Sequence, residues 1–147
     1  MNISQALKQK NRLAGEVALL RSVIAANNRR PANDKPEFDI QKLLADLMEK
    51  TERLARIKAA IARANLAVLD DLNLLAELRG HTLWFGAIPN HRGSDDTAYS
   101  SLNTRLYDAQ LGPADILAKI IELKARIDEV QDRLDAHNAV TAVNFDN

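Results

Sequence analysis

Three histidines, His81, His91 and His137, are the side chains of this sequence best suited to metal binding or proton transfer. Two histidines that hold one metal from a single helix stand three or four residues apart, as in H-E-x-x-H, and no pair here does. The nearest thing to a ligand set is His91 with Asp95 and Asp96, an imidazole followed by two carboxylates in a polar stretch. That grouping suits a divalent cation or general acid–base hydrolysis; it is equally the composition of a solvated loop tip. His137 closes an apolar helix stripe at its last position and reads as a histidine at the end of a core or as a pH-sensitive group. Ser94, Ser100 and Ser101 lie in no nucleophile-elbow pattern, and no glycine-rich phosphate loop is present. The chain has no cysteine, which removes thiolate chemistry and disulfides. No cofactor is implied, and these patterns disfavour an enzyme.

Trp84-Phe85 is the other notable pair, because only 4% of the residues are aromatic. The two rings either plug the end of a helical core or form an anchor for an interaction, since aromatics carry much of the energy at interfaces. Arg29-Arg30 is a basic corner at a loop, read first as a solvated turn and second as a nucleic-acid contact.

The elements that position these residues are helices. From Pro113 to about residue 138, the apolar residues Ile116, Ile120, Leu123, Ile127, Val130 and Leu134 alternate steps of four and three, which sets them on one stripe. Asp115–Lys119, Glu122–Arg126 and Glu129–Arg133 place each acid four residues before its base, the favourable order on a solvated face. Helix 1, over 3–28, opens on a capping box of Asn2 and Gln5 and runs its seam through Ile3, Ala6, Leu13, Val17, Leu20 and Ile24. Gly15 interrupts it, as a close approach of a neighbour or as a tolerated surface glycine. Pro31 ends the segment. Asp39 caps helix 2 (39–65), with Phe38 and Leu43 placed as a hydrophobic staple. Its stripe is Leu43, Leu47, Leu54, Ile57, Ile61 and Ala64, widened by Leu44 and Met48.

Helix 3, over 70–86, takes Asp70 as its cap and Leu72, Leu75, Ala76, Arg79 and Leu83 as its face. The connection 87–112 is polar and long for a compact bundle, with a short strand expected around 97–106. Pro113 opens helix 4 at its first position. Asn65 and Asn138 each follow an aliphatic residue by four; asparagine tolerates the left-handed conformation that closes helices, or the two could join an amide network. The tail 139–147 alternates apolar and polar residues as a weak strand or an apolar flap.

The composition agrees. Hydrophobic residues make up 46% of the 147, enough for a folded core, and the paucity of aromatics favours Ala, Leu and Ile packed between helices. Lys+Arg and Asp+Glu are both 20, so the basic excess of nucleic-acid and membrane-surface binders is missing. No stretch has the apolar length of a signal peptide or a bilayer span, and the expectation is a cytoplasmic protein without a membrane partner.

The stretch Ala125-Arg126-Ile127-Asp128, the ending Leu134-Asp135-Ala136-His137-Asn138-Ala139-Val140-Thr141, Ala60-Ile61-Ala62-Arg63-Ala64-Asn65 and the opening Ser4-Gln5-Ala6-Leu7 resemble a bacterial helical family labelled septicolysin. Ala139 stands where that family has a tryptophan, and of its tyrosine-containing strand only Tyr99-Ser100 has a counterpart. The resemblance implies an all-helical bacterial protein with no established activity. The toxin-like label does not carry over, because no membrane-inserting helix is visible.

The reading is therefore a single all-α domain, an elongated antiparallel four-helix bundle with coiled-coil-like packing. Helix 3 is too short to cover its neighbours, so their stripes call for a second copy. The expected function is a non-enzymatic homo-oligomeric scaffold with itself as partner, interacting through Trp84, Phe85 and the seam Ile116, Ile120, Leu123, Ile127, Val130 and Leu134. The alternative is a ligand- or metal-binding, hydrolytic protein using the 87–112 loop.

Overall fold

In the computed structural model, which describes residues 1–94 and 105–145, the chain is all-α. It comprises α1 (Ile3–Asn27), α2 (Ile40–Ala64), a 3₁₀ turn (Asn65–Val68), α3 (Leu69–Ala87), a ladder of β1 (Gly93–Ser94) with β2 (Leu106–Tyr107), and α4 (Pro113–Val140). Packing gathers these elements into two compact units: Met1–Val68 with the chain from Ala136 onward, and Leu69–Asp135. Residues of α4 contribute to both.

The first unit is built on the antiparallel hairpin of α1 and α2. The Asn2 side chain accepts from the Gln5 N–H at 2.9 Å and the Gln5 side chain accepts from the Asn2 N–H at 3.0 Å, the reciprocal pattern that satisfies two orphan donors at a helix start. Asp39 caps α2 by accepting from the Lys42 N–H. The two stripes then meet: Ile3, Ala6 and Leu13 of α1 pack with Ile57, Ala60 and Ile61 of α2, early residues of one against late residues of the other. Val143 completes this core, and its strand-like segment bridges Asn2 to Ala142 in antiparallel fashion. The Ile3 N–H donates to the Thr141 carbonyl and the Val143 N–H to that of Met1, so residues 141–143 are stitched to the start of α1. Midway along the hairpin Lys50 donates to Glu16 at 2.9 Å. Lys50, and after it Arg12, holds the Glu16 carboxyl below the usual carboxylate range.

Of the two readings of Gly15 the surface one holds: it is exposed, with nothing within 4 Å of where a Cβ would stand. Leu44 and Met48 do not widen the stripe; they are 42% and 54% exposed. Asn65 is the C-cap of α2 as expected, but its φ of −85° and ψ of −2° are right-handed rather than left-handed, and the chain tightens into the 3₁₀ turn.

The second unit pairs α3 with the first part of α4. Pro113 is the first helical residue, and Asp115 reaches back to accept from the Gly112 N–H at 2.9 Å. The Arg92 guanidinium lies over Gly112, where a Cβ would stand 3.0 Å from Nη2, so a larger residue there would shift the arginine slightly. Arg92 also donates to the Ala109 carbonyl and lies 3.5 Å from Asp108. Between α3 and α4, Arg133 bonds Asp71 and Arg79 donates to Gln131, two polar links between the helices. Leu75 and Leu78 of α3 and Ile116, Val130 and Leu134 of α4 are buried.

Here too sequence and structure differ. Asp70 is not a cap, because α3 begins at Leu69 directly from the 3₁₀ turn. Its buried face passes through Leu75 and Leu78, leaving Arg79 exposed and Leu83 78% exposed. Arg133 turns to Asp71, and Lys119 pairs with Glu122 rather than Asp115, whose carboxylate caps the helix. Asn138 does not end α4, which continues to Val140. The strand expected around 97–106 falls largely outside the described residues; the described ladder pairs Gly93 with Tyr107 and Ser94 with Leu106. Gly93, at φ 108°, supplies the positive φ that this turn of the chain requires.

Candidate interaction surface

The stripe expected to hold a partner is already in use within one chain. Ile116, Val130 and Leu134 are 4%, 1% and 3% exposed, and Ile120, Leu123 and Ile127 are half-buried. A side chain sealed in the core of a single copy has no surface left for another, so this part of the predicted site is core. Within the second unit α3 is tied to α4 by Arg133–Asp71 and Arg79–Gln131, and Leu75 and Leu78 of α3 are buried as well.

What remains exposed lies one or two residues away. Leu117 and Ile121 of α4 are 58% and 59% exposed, and Leu83 and Trp84 of α3 are 78% and 58% exposed. Trp84 is therefore not a plug: its indole is mostly in water, edge-on to the half-buried Phe85 at 4.9 Å between ring centroids and to His81 at 6.3 Å. Leu117 and Ile121 escape a search for one stripe per helix. The signal that finds them is a pair of large apolar residues four apart, set to one side of the main stripe.

The candidate chemical residues separate. Asp95 and Asp96 lie outside the described residues. His91 lines a shallow recess of about 380 Å³ with Pro89, Tyr107 and Asp108. Among the described residues, no three His, Asp or Glu side chains gather as a metal-binding group.

His137 is a structural clamp in the first unit. Its Nε2 lies 3.1 Å from the Ala64 carbonyl oxygen and its Nδ1 3.1 Å from the Thr141 hydroxyl. A carbonyl only accepts, so Nε2 carries the hydrogen, and in the neutral ring Nδ1 accepts from Thr141. The imidazole thus ties the last turn of α2 to the end of α4. The amide network envisaged for Asn65 and Asn138 is replaced by this histidine link, and the Asn65 Oδ1 is buried without a hydrogen-bond partner.

Among the described residues, no helix is long and apolar enough to cross a membrane. No protein-family model matches the sequence, and no curated protein matches it. A crystal structure of a functionally unknown conserved protein from Corynebacterium diphtheriae is similar over 98% of this chain and 99% of its own, with a TM-score of 0.82 and 18% sequence identity. At that identity the likeness shows the fold alone, and the fold it shows is this all-α arrangement.

Proposed function

We propose that this chain is a non-enzymatic, homo-oligomeric interaction protein. The observation that carries the reading is that the second unit leaves large apolar side chains in water, Leu83, Trp84, Leu117 and Ile121 among them. Fully burying a side chain of this size contributes about 1.5–3 kcal/mol, so covering even part of this set on two copies yields a useful association energy. The evenly balanced acids and bases add no bias toward polyanions or membranes.

Light scattering on the purified protein across the micromolar range tests this. The expected result is a dimer or larger species that persists in high salt, because apolar burial is not screened as surface ion pairs are. A monomer throughout that range overturns the proposal.

A further inference from the structure

Arg56, Ala59, Ala60 and Arg63 of α2 follow the spacing i, i+3, i+4, i+7, which is one face of the helix. The two arginines stand two turns apart, about 10 Å along the axis, with only methyl groups between them. Asn144 and Phe145, which follow the segment stitched to the start of α1, complete the walls. Phe145 is half-buried and packs against the core of the first unit, so its ring is held in place. These six residues line a recess of about 310 Å³, the size of the smaller sites that hold small molecules. The charge around it is one-sided. Residues 53–69 hold four cations, Arg53, Arg56, Lys58 and Arg63, and no acid. Elsewhere in the hairpin Lys50 and Arg12 both find Glu16. Among the described residues Arg56 and Arg63 form no ion pair, although Glu52 stands four residues before Arg56.

We propose that this recess binds a phosphate monoester carried on a flat apolar group, with Arg56 and Arg63 on the phosphate and Phe145 against the ring. The site belongs to the first unit, whereas the homo-oligomeric reading concerns the second, so each stands or falls without the other. A guanidinium donates paired N–H bonds to phosphate oxygens in a planar fork. Two such cations match the charge of about −1.5 to −2 on a phosphate monoester at pH 7, which exceeds the single charge of a carboxylate. The Asn144 amide supplies a further donor, and the Phe145 ring offers an aromatic surface to a flat apolar body. Two effects hold the affinity down. Arg63 stands in the last turn of α2, where the negative end of the helix dipole offsets part of its charge. Both arginines are also exposed, so water and salt screen them, and binding belongs near ~1 mM.

Phenyl phosphate, inorganic phosphate and benzoate are titrated separately into the isotope-labelled full chain, and the backbone amide and arginine Nε–H signals are followed by NMR. Phenyl phosphate should move the signals of Ala59, Ala60, Asn144, Phe145 and the two arginines together and saturably. Inorganic phosphate and benzoate should each bind at least about fivefold more weakly, since one lacks the ring and the other half the charge. Arg56→Gln and Arg63→Gln should each weaken phenyl phosphate about fivefold. Ala59→Leu, at an exposed position, fills the recess with every charge kept and should abolish binding. Circular dichroism checks that each variant keeps its helix content. Shifts spread over all lysines and arginines, or unchanged in Ala59→Leu, mean charge screening alone and overturn the site. The absence of a saturable shift up to about 10 mM overturns it as well. Benzoate bound as tightly as phenyl phosphate overturns the phosphate assignment.

Discussion

Arg133 of α4 grips Asp71 of α3 through two hydrogen bonds, Nη2 to Oδ1 at 2.6 Å and Nε to Oδ2 at 3.1 Å. The paired fork fixes orientation as well as charge, which one point contact on a lysine would not. It also sets which residues of α3 and α4 face each other, and hence which apolar residues stay outside.

The same pair makes stability depend on pH. The guanidinium holds the Asp71 carboxyl below its usual range, opposed by a smaller desolvation effect. A carboxyl whose pKa is lowered by folding contributes stability above the unfolded value, about 3.9 for aspartate, and loses it as the pH falls through the folded value. Asp71→Asn should therefore melt below the parent at neutral pH, by a modest margin because the pair is partly exposed, and the two melts should converge below about pH 4. A gap that stays constant into acid would show that the charge is not the cause.

The fold was legible where one signal had one meaning. The capping box at Asn2 and Gln5, the cap at Asp39, Pro113 and the stripes of α1, α2 and α4 are local, and local rules place them. The errors arose where tertiary partners decide. Nothing near Asp70 announces that a 3₁₀ turn runs straight into α3, and the face of α3 was ambiguous because Leu72, Leu74, Leu75, Leu78 and Leu83 surround it. Which apolar residues of α4 stay outside was ambiguous for a related reason. Ile116 and Leu117 are neighbours in sequence and nearly a third of a turn apart on the helix, and only burial tells which of the two the chain keeps for itself.

Core and surface positions should separate sharply on mutation. Ile57 is fully buried in the α1–α2 core, and Ile57→Ala should cost about 2–5 kcal/mol through lost transfer energy and a residual cavity. Leu83→Ser, at a residue 78% exposed, should stay within about 0.5 kcal/mol of the parent. Denaturant unfolding measures both; a large loss at Leu83 would place that side chain in a packed environment.

His137 should be observed as the Nε2–H tautomer at neutral pH, because the Ala64 carbonyl can only accept. Two-bond proton–nitrogen correlation spectra distinguish the tautomers directly. His137→Ala leaves that carbonyl without its partner and should cost about 1–3 kcal/mol, whereas Thr141→Val should cost less, since the ring keeps its bond to α2. An Nδ1–H ring would mean that the clamp to Ala64 does not form.

Trp84 is the single tryptophan, so its fluorescence reports one place in the molecule. At low concentration the emission should be that of a hydrated indole, accessible to a neutral quencher, because the ring is 58% exposed. If the indole anchors self-association, emission moves to the blue and quenching falls as the oligomer forms, both following the light-scattering curve. Trp84→Ala should then weaken association by about 2 kcal/mol, roughly thirtyfold, without loss of helix content. A spectrum that is unchanged while the mass doubles would remove Trp84 from the interface and leave it to Leu117 and Ile121.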